Sequence, residues 1–548
     1  MKTAGYIQIA AGLSFVGPGS AYLYNQTIST KYGLVQGVPA LNASCCSYLE
    51  GYESVTVWRG IPFAADTGGA NRFRPPQPAA PWNTTLIASD FGPPCPAGTT
   101  PPGSADPNVD ENCLNLNIWS SANSTSEKRS VMIWSYPAGS NNAWAEFDGG
   151  GMALQDIVFV NYNYRTGPYG WSALPELYEE SGNLTTGNYG FLDQVAALKW
   201  VHENIAAFGG DPEHITAVGQ SAGSAEVYHF VNSPLAKGLI VGAIAESGIR
   251  DPRDPASRSL AEGYNNMSTS VNLTRTLMEE LNITTVEEYR NVTAAQINDA
   301  SGFAGFSVWR STLDGYAMTE AYWDELMTGP ANDVPVVTGN TKDESGAAYG
   351  ATISVADWQA EINETYGSLA SEFLAAYPCS NSTQCGMQSN LLARDISLIG
   401  SYNFASLWSK TATSPFYTYY WDHEPTGSTQ GASHMSEIMY VLNNLYGSEL
   451  PLIALDYDIA RTLNAYWANF IKTGNPNTGD SYARYENGTL DYWRPNEAGN
   501  ATVFHLSPPA PLNPNGLPVG YQQVSAASSD VRFKLIEKYL VSRTDETI

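Results

Sequence analysis

Apolar residues fall along this chain in two rhythms. From Val35 to Val57 they alternate with polar residues around Asn42 and Gly51, the period-two pattern of antiparallel strands at a sheet edge. Leu114 to Trp119, Val131 to Ser135 and Ile157 to Asn161 are short β-rich runs without that alternation, which suits strands buried on both faces. Between Leu192 and Ile205 the rhythm changes: Leu192, Val195, Leu198, Val201 and Ile205 recur every three to four residues, predicting a helix packed on the sheet and stopped by Gly209-Gly210-Asp211-Pro212. The strand Ile215 to Val218 then runs into the tight turn Gly219-Gln220-Ser221-Ala222-Gly223 and a helix from Ala225 to Phe230. Ile240 to Ala245, Val334 to Gly339 and the apolar segment Phe416 to Trp421 complete the strand set. Strands alternating with helices imply an α/β fold with a mostly parallel sheet covered on both faces. Residues 251–333 and 353–412 read instead as helical insertions over one end of that sheet, the usual place for the walls of a substrate pocket. No internal repeat, low-complexity tract or linker divides residues 22–548, which are expected to form one domain.

Composition narrows the setting. With 27 Lys plus Arg against 54 Asp plus Glu, the net charge is −27 and scattered, a solvated acidic surface that argues against a nucleic-acid partner. Residues 1–21 carry Lys2, a modest apolar segment from Tyr6 to Val16 and small residues up to Ala21, the outline of a secretory signal. The acceptors for N-glycosylation give that outline weight: Asn25, Asn42, Asn83, Asn123, Asn183, Asn266, Asn272, Asn282, Asn291, Asn363, Asn381, Asn487 and Asn500 all stand in Asn-x-Ser/Thr. No later stretch has the apolar length needed to cross a bilayer, so the expectation is a secreted glycoprotein without stable membrane insertion. The six cysteines show no metal-like clustering with histidine and are expected in disulfides. Cys379 and Cys385 enclose a short polar loop and pair readily; Cys95 with Cys113 is a plausible second bridge. Cys45 and Cys46 are then left bonded to each other, free, or bonded between molecules.

The chemistry centres on Ser221. Its turn has the G-x-S-x-G spacing of a nucleophile held between strand and helix, where flanking glycines remove Cβ atoms that would collide. A bare match of this kind is also an ordinary Gly/Ser loop, so partners must be found. A serine hydroxyl needs an imidazole to take its proton and a carboxylate to orient that imidazole. In the chain order Ser, acid, His, the histidines left after a plausible acid are His423, His434 and His505. His434 lies in the small-residue loop Gly431 to Glu437, and Glu344 directly follows the strand Val334 to Thr338. Asp343 is the better of the two acids for capping a helix N-terminus, and His434 could equally be a surface turn residue.

Ordered motifs decide between these readings. They are Arg59-Gly60-Ile61-Pro62-Phe63-Ala64, Arg72-Phe73-Arg74-Pro75-Pro76, Glu111-Asn112-Cys113-Leu114-Asn115-Leu116-Asn117, Asn163-Tyr164-Arg165-Thr166-Gly167-Pro168, Gly187 to Gln194, and Asn204 to Pro212 ahead of the serine turn. From Val35 to Phe470 the sequence resembles the type-B carboxylesterase/lipase family, the cholinesterase-like branch of the α/β-hydrolases, with a secreted fungal-type character. The resemblance implies the α/β-hydrolase fold, Ser221 as nucleophile, Glu344 as acid, His434 as base and a small-molecule ester as substrate, with no cofactor or metal. It implies a Cys95–Cys113 disulfide and places Ser247 where a serine often bonds the triad acid, although a plain strand-end turn would account for Ser247 as well. The oxyanion donors would be the N–H groups of Ala138, Gly139 and Ala222. Two departures stand out: Tyr136-Pro137-Ala138-Gly139-Ser140 replaces the common His-Gly-Gly-Gly-Phe, and the segment between Cys95 and Cys113 has neither a tryptophan nor an amphipathic flap. A secreted serine esterase for small or medium esters is the reading this supports. The alternatives are a binding protein that lost catalysis, a lipase, and an acyltransferase of the same family.

Overall fold

The structure is a computed structural model describing residues 22–96, 109–253, 259–301, 308–344, 349–479, 490–496, 502–506 and 522–543. The expected signal segment, Asn487, Asn500 and most of the Cys95–Cys113 loop lie outside these residues.

Among the described residues, eleven strands form the main sheet. In chain order they are β1 (Val38–Pro39), β2 (Thr56–Pro62), β3 (Asn115–Ser120), β4 (Arg129–Ser135), β5 (Ile157–Tyr162), β6 (Gly210–Gln220), β7 (Gly242–Glu246), β8 (Val336–Thr341), β9 (Phe416–Trp421), β10 (Thr502–Leu506) and β11 (Gln522–Ser525). In space they run β11-β10-β9-β8-β7-β6-β4-β5-β3-β2-β1. From β10 to β5 every pairing is parallel, and antiparallel strands flank this block on both sides. Burial follows from that topology, since a parallel strand has crossover helices on both of its faces. Every residue of β5, β7, β8 and β9 is buried accordingly, and β3, antiparallel to both of its neighbours, is buried throughout as well.

Six of the helices are α1 (Tyr189–Asn204), α2 (Ala222–Asn232), α3 (Met267–Glu280), α4 (Ser382–Trp408), α5 (Ala454–Thr473) and α6 (Asp530–Ser542). β7 shows how its neighbours divide between two faces. Ala243 and Ala245 share a tight apolar cluster with Val227 and Tyr228 of α2 and Phe404 and Trp408 of α4. Glu246, of the opposite parity, accepts a hydrogen bond from Trp467 of α5 at 2.7 Å. Helix α1 is buried except for a strip through Ala196, Lys199, His202 and Glu203, the complement of its apolar rhythm. The expected insertions are helical, and α3 and α4 belong to them.

The edge pattern from Val35 to Val57 resolves differently from expectation. Leu34–Gln36 joins a separate three-stranded sheet, only Val38–Pro39 pairs with β2, and Ala43–Cys46 is a short helix capped by Asn42. Cys45 and Cys46 are bonded to each other, and Cys95–Cys113 and Cys379–Cys385 also form. The last of these closes the start of α4 rather than a loop, with Asn381 accepting from the Gln384 N–H as its cap.

Candidate active site

The parallel strands all end on one side, where Gln220, Glu246 and Gly339 lie in register across β6, β7 and β8. Ser221 is the next residue. Its backbone is strained, at φ 56° and ψ −121°, and helix α2 begins immediately after it. The flanking glycines are required by packing. A Cβ on Gly223 would sit 2.0 Å from the Ser135 carbonyl oxygen, and one on Gly219 would sit 2.5 Å from that of Gly223. The Ser221 N–H donates to the Glu246 carbonyl at 2.8 Å, and the Ser221 carbonyl accepts from Ser224 and Ala225. The serine turn is thus locked against the end of β7.

Each of the three histidines left open by chain order meets a carboxylate. His423 pairs with Asp456 at 2.8 Å, His505 with Asp422 at 3.1 Å and His434 Nδ1 with Glu344 Oε1 at 2.9 Å. Only the last couple is at the serine. The Gln220 amide nitrogen, one residue before Ser221, lies 3.4 Å from both ring nitrogens of His434, which places it over the ring face. No Ser221–His434 hydrogen bond is formed in the free protein, a bond that commonly tightens only when substrate arrives.

Glu344 is buried and yet held below the usual carboxylate range. Burial alone would push it up, but the Arg250 guanidinium at 3.0 Å and His434 outweigh that cost, helped by the Thr341 N–H at 2.9 Å. His434 is raised above its ordinary value: burial opposes the charged ring, and the hydrogen bond and charge of Glu344 overcome it. The expected Ser247 contact is not made, because Arg250 occupies one oxygen of Glu344 together with His434 while Thr341 takes the other. Ser247 Oγ is buried without that bond, on a backbone at φ 55°.

Asp343 caps no helix among the described residues. Its carboxylate accepts the Ala432 N–H at 2.9 Å and pairs with Arg394, and its backbone bridges to Ser433, so it clamps the loop that carries His434. Sequence offers Asp343 only as a helix cap and does not single out Arg250. The only signal for Arg250 was a cation three residues after Ser247, which no spacing rule connects to a carboxylate 94 positions away.

Contacts fix the Tyr136–Ser140 loop beside the serine turn. Tyr136 stacks on Tyr164 with ring centroids 4.7 Å apart, its hydroxyl accepts the Tyr164 N–H, and its carbonyl accepts the Tyr164 hydroxyl. Gly139 at φ 80° then turns the chain, closed by the Ser140 N–H donating to the Pro137 carbonyl. Ala138, Gly139, Ala222 and Ser221 line one cavity of about 330 Å³, and the N–H groups of the first three donate to nothing among the described residues. Three free donors beside Ser221 are what a developing oxyanion would need. No group of His, Cys, Asp and Glu among the described residues is arranged to hold a metal.

The carboxylesterase family model matches residues 25–515. The chain belongs to the carboxylesterase family. It is 31% identical over 448 residues to fumonisin B1 esterase of Sphingopyxis macrogoltabida, covering 79% of this chain and 81% of that protein. It is 30% identical over 479 residues to para-nitrobenzyl esterase of Bacillus subtilis (strain 168), covering 83% and 91%. A solved PNB esterase structure superposes with a TM-score of 0.72 at 26% identity, over 93% of this chain and 99% of that one, which is the expected α/β-hydrolase fold. This carboxylesterase is accordingly an enzyme of carboxylic-ester hydrolysis.

Proposed function

We propose that the protein is a secreted serine esterase that cleaves small or medium esters through an acyl-enzyme, with Ser221 as nucleophile, His434 as base and Glu344 as acid. The observation that carries this is the half-buried His434 paired with the buried Glu344 beside the strained serine turn, together with three unpaired amide donors. In this mechanism Ser221 Oγ attacks the ester carbonyl while His434 takes its proton. The negative oxygen forms against Ala138, Gly139 and Ala222, and His434 returns the proton to the departing alcohol. Glu344 fixes the ring through Nδ1, so that Nε2 faces the chemistry. Water activated by the same ring then releases the acid. The cavity is at the small end of the ~300–1,000 Å³ range of ligand pockets, which supports short or medium acyl groups. The alternatives fare worse: a binding protein has no use for a strained nucleophile facing free donors.

Secretion is supported by three disulfides and by the sequons. All eleven described acceptor asparagines, the thirteen less Asn487 and Asn500, are exposed. Endoglycosidase treatment of protein secreted from a eukaryotic host should lower its mass; an unchanged mass would count against glycosylation.

The test of catalysis is a p-nitrophenyl ester series of rising acyl length. Turnover should peak at short to medium chains, and Ser221→Ala should lower kcat on the order of 10⁶-fold, the scale for removing a triad serine. Undiminished turnover in Ser221→Ala would remove Ser221 from the mechanism.

A further inference from the structure

The wall of the cavity contains several polar side chains that the hydrolytic cycle does not use, Glu262 and Arg310 among them, and two of these stand together on one helix. Glu226 and His229 stand three residues apart on α2 and so share a helix face, one to two turns beyond Ser221. Both line the cavity, yet only 7% of Glu226 and 5% of His229 is exposed. Glu226 Oε2 and His229 Nδ1, both shut off from solvent, have no hydrogen-bond partner among the described residues. Much of the surrounding lining is aromatic, from Tyr136, Tyr164, Trp171 and Trp309. Buried polar atoms are normally paired, and unpaired ones beside a ligand cavity are where a ligand's own polar group is read.

The cavity also has a direction. His434, toward which the alcohol must depart to receive its proton, is absent from the described lining, whereas the oxyanion loop and the first turns of α2 are part of it. On that placement we read the cavity as the site of the acyl half of the ester. This step rests on the serine-esterase reading above.

We propose that Glu226 and His229 form a polar subsite for a hydroxyl group on the acyl chain, so that the enzyme prefers hydroxylated acyl esters to their plain counterparts. Burial pushes the Glu226 carboxyl up to about 8, against the pull of the Gln194 amide, and pushes the His229 ring down to about 3. Near neutrality both groups are uncharged. A neutral carboxyl donates through its O–H, and a neutral imidazole offers one lone pair. A hydroxyl both accepts and donates, so it satisfies the two together. An ammonium group would meet no opposite charge on a protonated Glu226, and a plain alkyl chain leaves both groups unpaired.

The experiment compares kcat/KM for p-nitrophenyl 3-hydroxybutyrate and p-nitrophenyl butyrate in the full-length protein and in Glu226→Gln, Glu226→Leu and His229→Phe. Active sites are counted by organophosphate labelling of Ser221. The ratio of the two values, after division by their ratio for hydroxide hydrolysis, should be about ten or more in the wild type; fully enclosed hydroxyl sites reach ~10⁴ or more. Glu226→Gln should retain most of the preference, since an amide still donates, while Glu226→Leu and His229→Phe should bring the ratio near one. An equal ratio in the wild type and in either apolar variant would overturn the subsite. So would loss of preference in Glu226→Gln combined with wild-type preference for p-nitrophenyl 4-aminobutyrate, which would show an ion-pairing carboxylate. Failure of the esterase reading looks different: wild-type protein would turn over neither ester and Ser221 would stay unlabelled, which would overturn this proposal as well.

Discussion

At the scale of the residue, the decisive contact is the one made by Arg250. A carboxylate as buried as Glu344 would take up a proton if left alone, and a protonated acid cannot stabilise a charged His434. Arg250 keeps it ionised, and the same positive charge holds His434 down against the larger upward pull of Glu344. Because His434 is raised above 6.5 and, in the proposed mechanism, must be neutral to accept the serine proton, kcat/KM should climb with pH through a midpoint above 6.5. In Arg250→Met that midpoint should move to still higher pH, since the cation opposing a protonated ring is gone. Breaking a buried ion pair should also cost about 3–5 kcal/mol of stability, measurable by denaturant unfolding. An unmoved pH profile would mean that Arg250 serves packing alone. Sequence could not reach this residue, because an ion pair between distant positions has no local signature.

At the scale of the element, the site is assembled from strand ends and the turns and loops attached to them. β6 delivers Ser221, β8 delivers Glu344, and the loop after β9 delivers His434. The strands and the serine turn were legible because their period and glycine spacing are local consequences of backbone sterics. The histidine loop was legible only as small residues around a histidine. What positions it is Asp343, through the Ala432 N–H, Arg394 and the Ser433 bridge. Gly431, at φ 68°, passes so close to Asp343 that a Cβ there would lie 2.1 Å from a carboxylate oxygen. Asp343→Asn keeps the size of the clamp but loses its charge and can turn an N–H₂ toward the loop. It should lower kcat by roughly 10–100-fold with a smaller change in KM, because misplacing a base by about 1 Å costs on that order. Steady-state kinetics on p-nitrophenyl butyrate would show this; a change confined to KM would place the loop in substrate binding instead.

At the scale of the whole molecule, buried carboxyls tie folding to pH. Glu226, Glu246 and Glu325 are all raised by burial to about 8 from 4.5, so the folded protein keeps protons that the unfolded chain releases. Wherever the folded state binds more protons, stability falls as pH rises, and these three contribute that loss between 4.5 and about 8. His229 opposes them only below 6.5, with one proton against three. The net charge of −27 adds repulsion in the same direction as the carboxyls. The Tm from scanning calorimetry should therefore fall from about pH 5 to about pH 8, and a Tm that rose over that interval would contradict the buried-acid account. The sequence by itself determined the strand and helix alternation, the serine turn and the family, since periodicity, glycine sterics and ordered motifs are all carried by neighbours along the chain. It also named Glu344 and His434, but only as members of motifs. The tertiary structure decided which histidine–carboxylate couple stands beside the serine turn, why Glu344 stays charged, what holds Tyr136 and its loop in place, and how Glu226 and His229 come to line the cavity. Those outcomes depend on distances between segments up to hundreds of residues apart and on the water excluded between them, and neither is written in any local stretch.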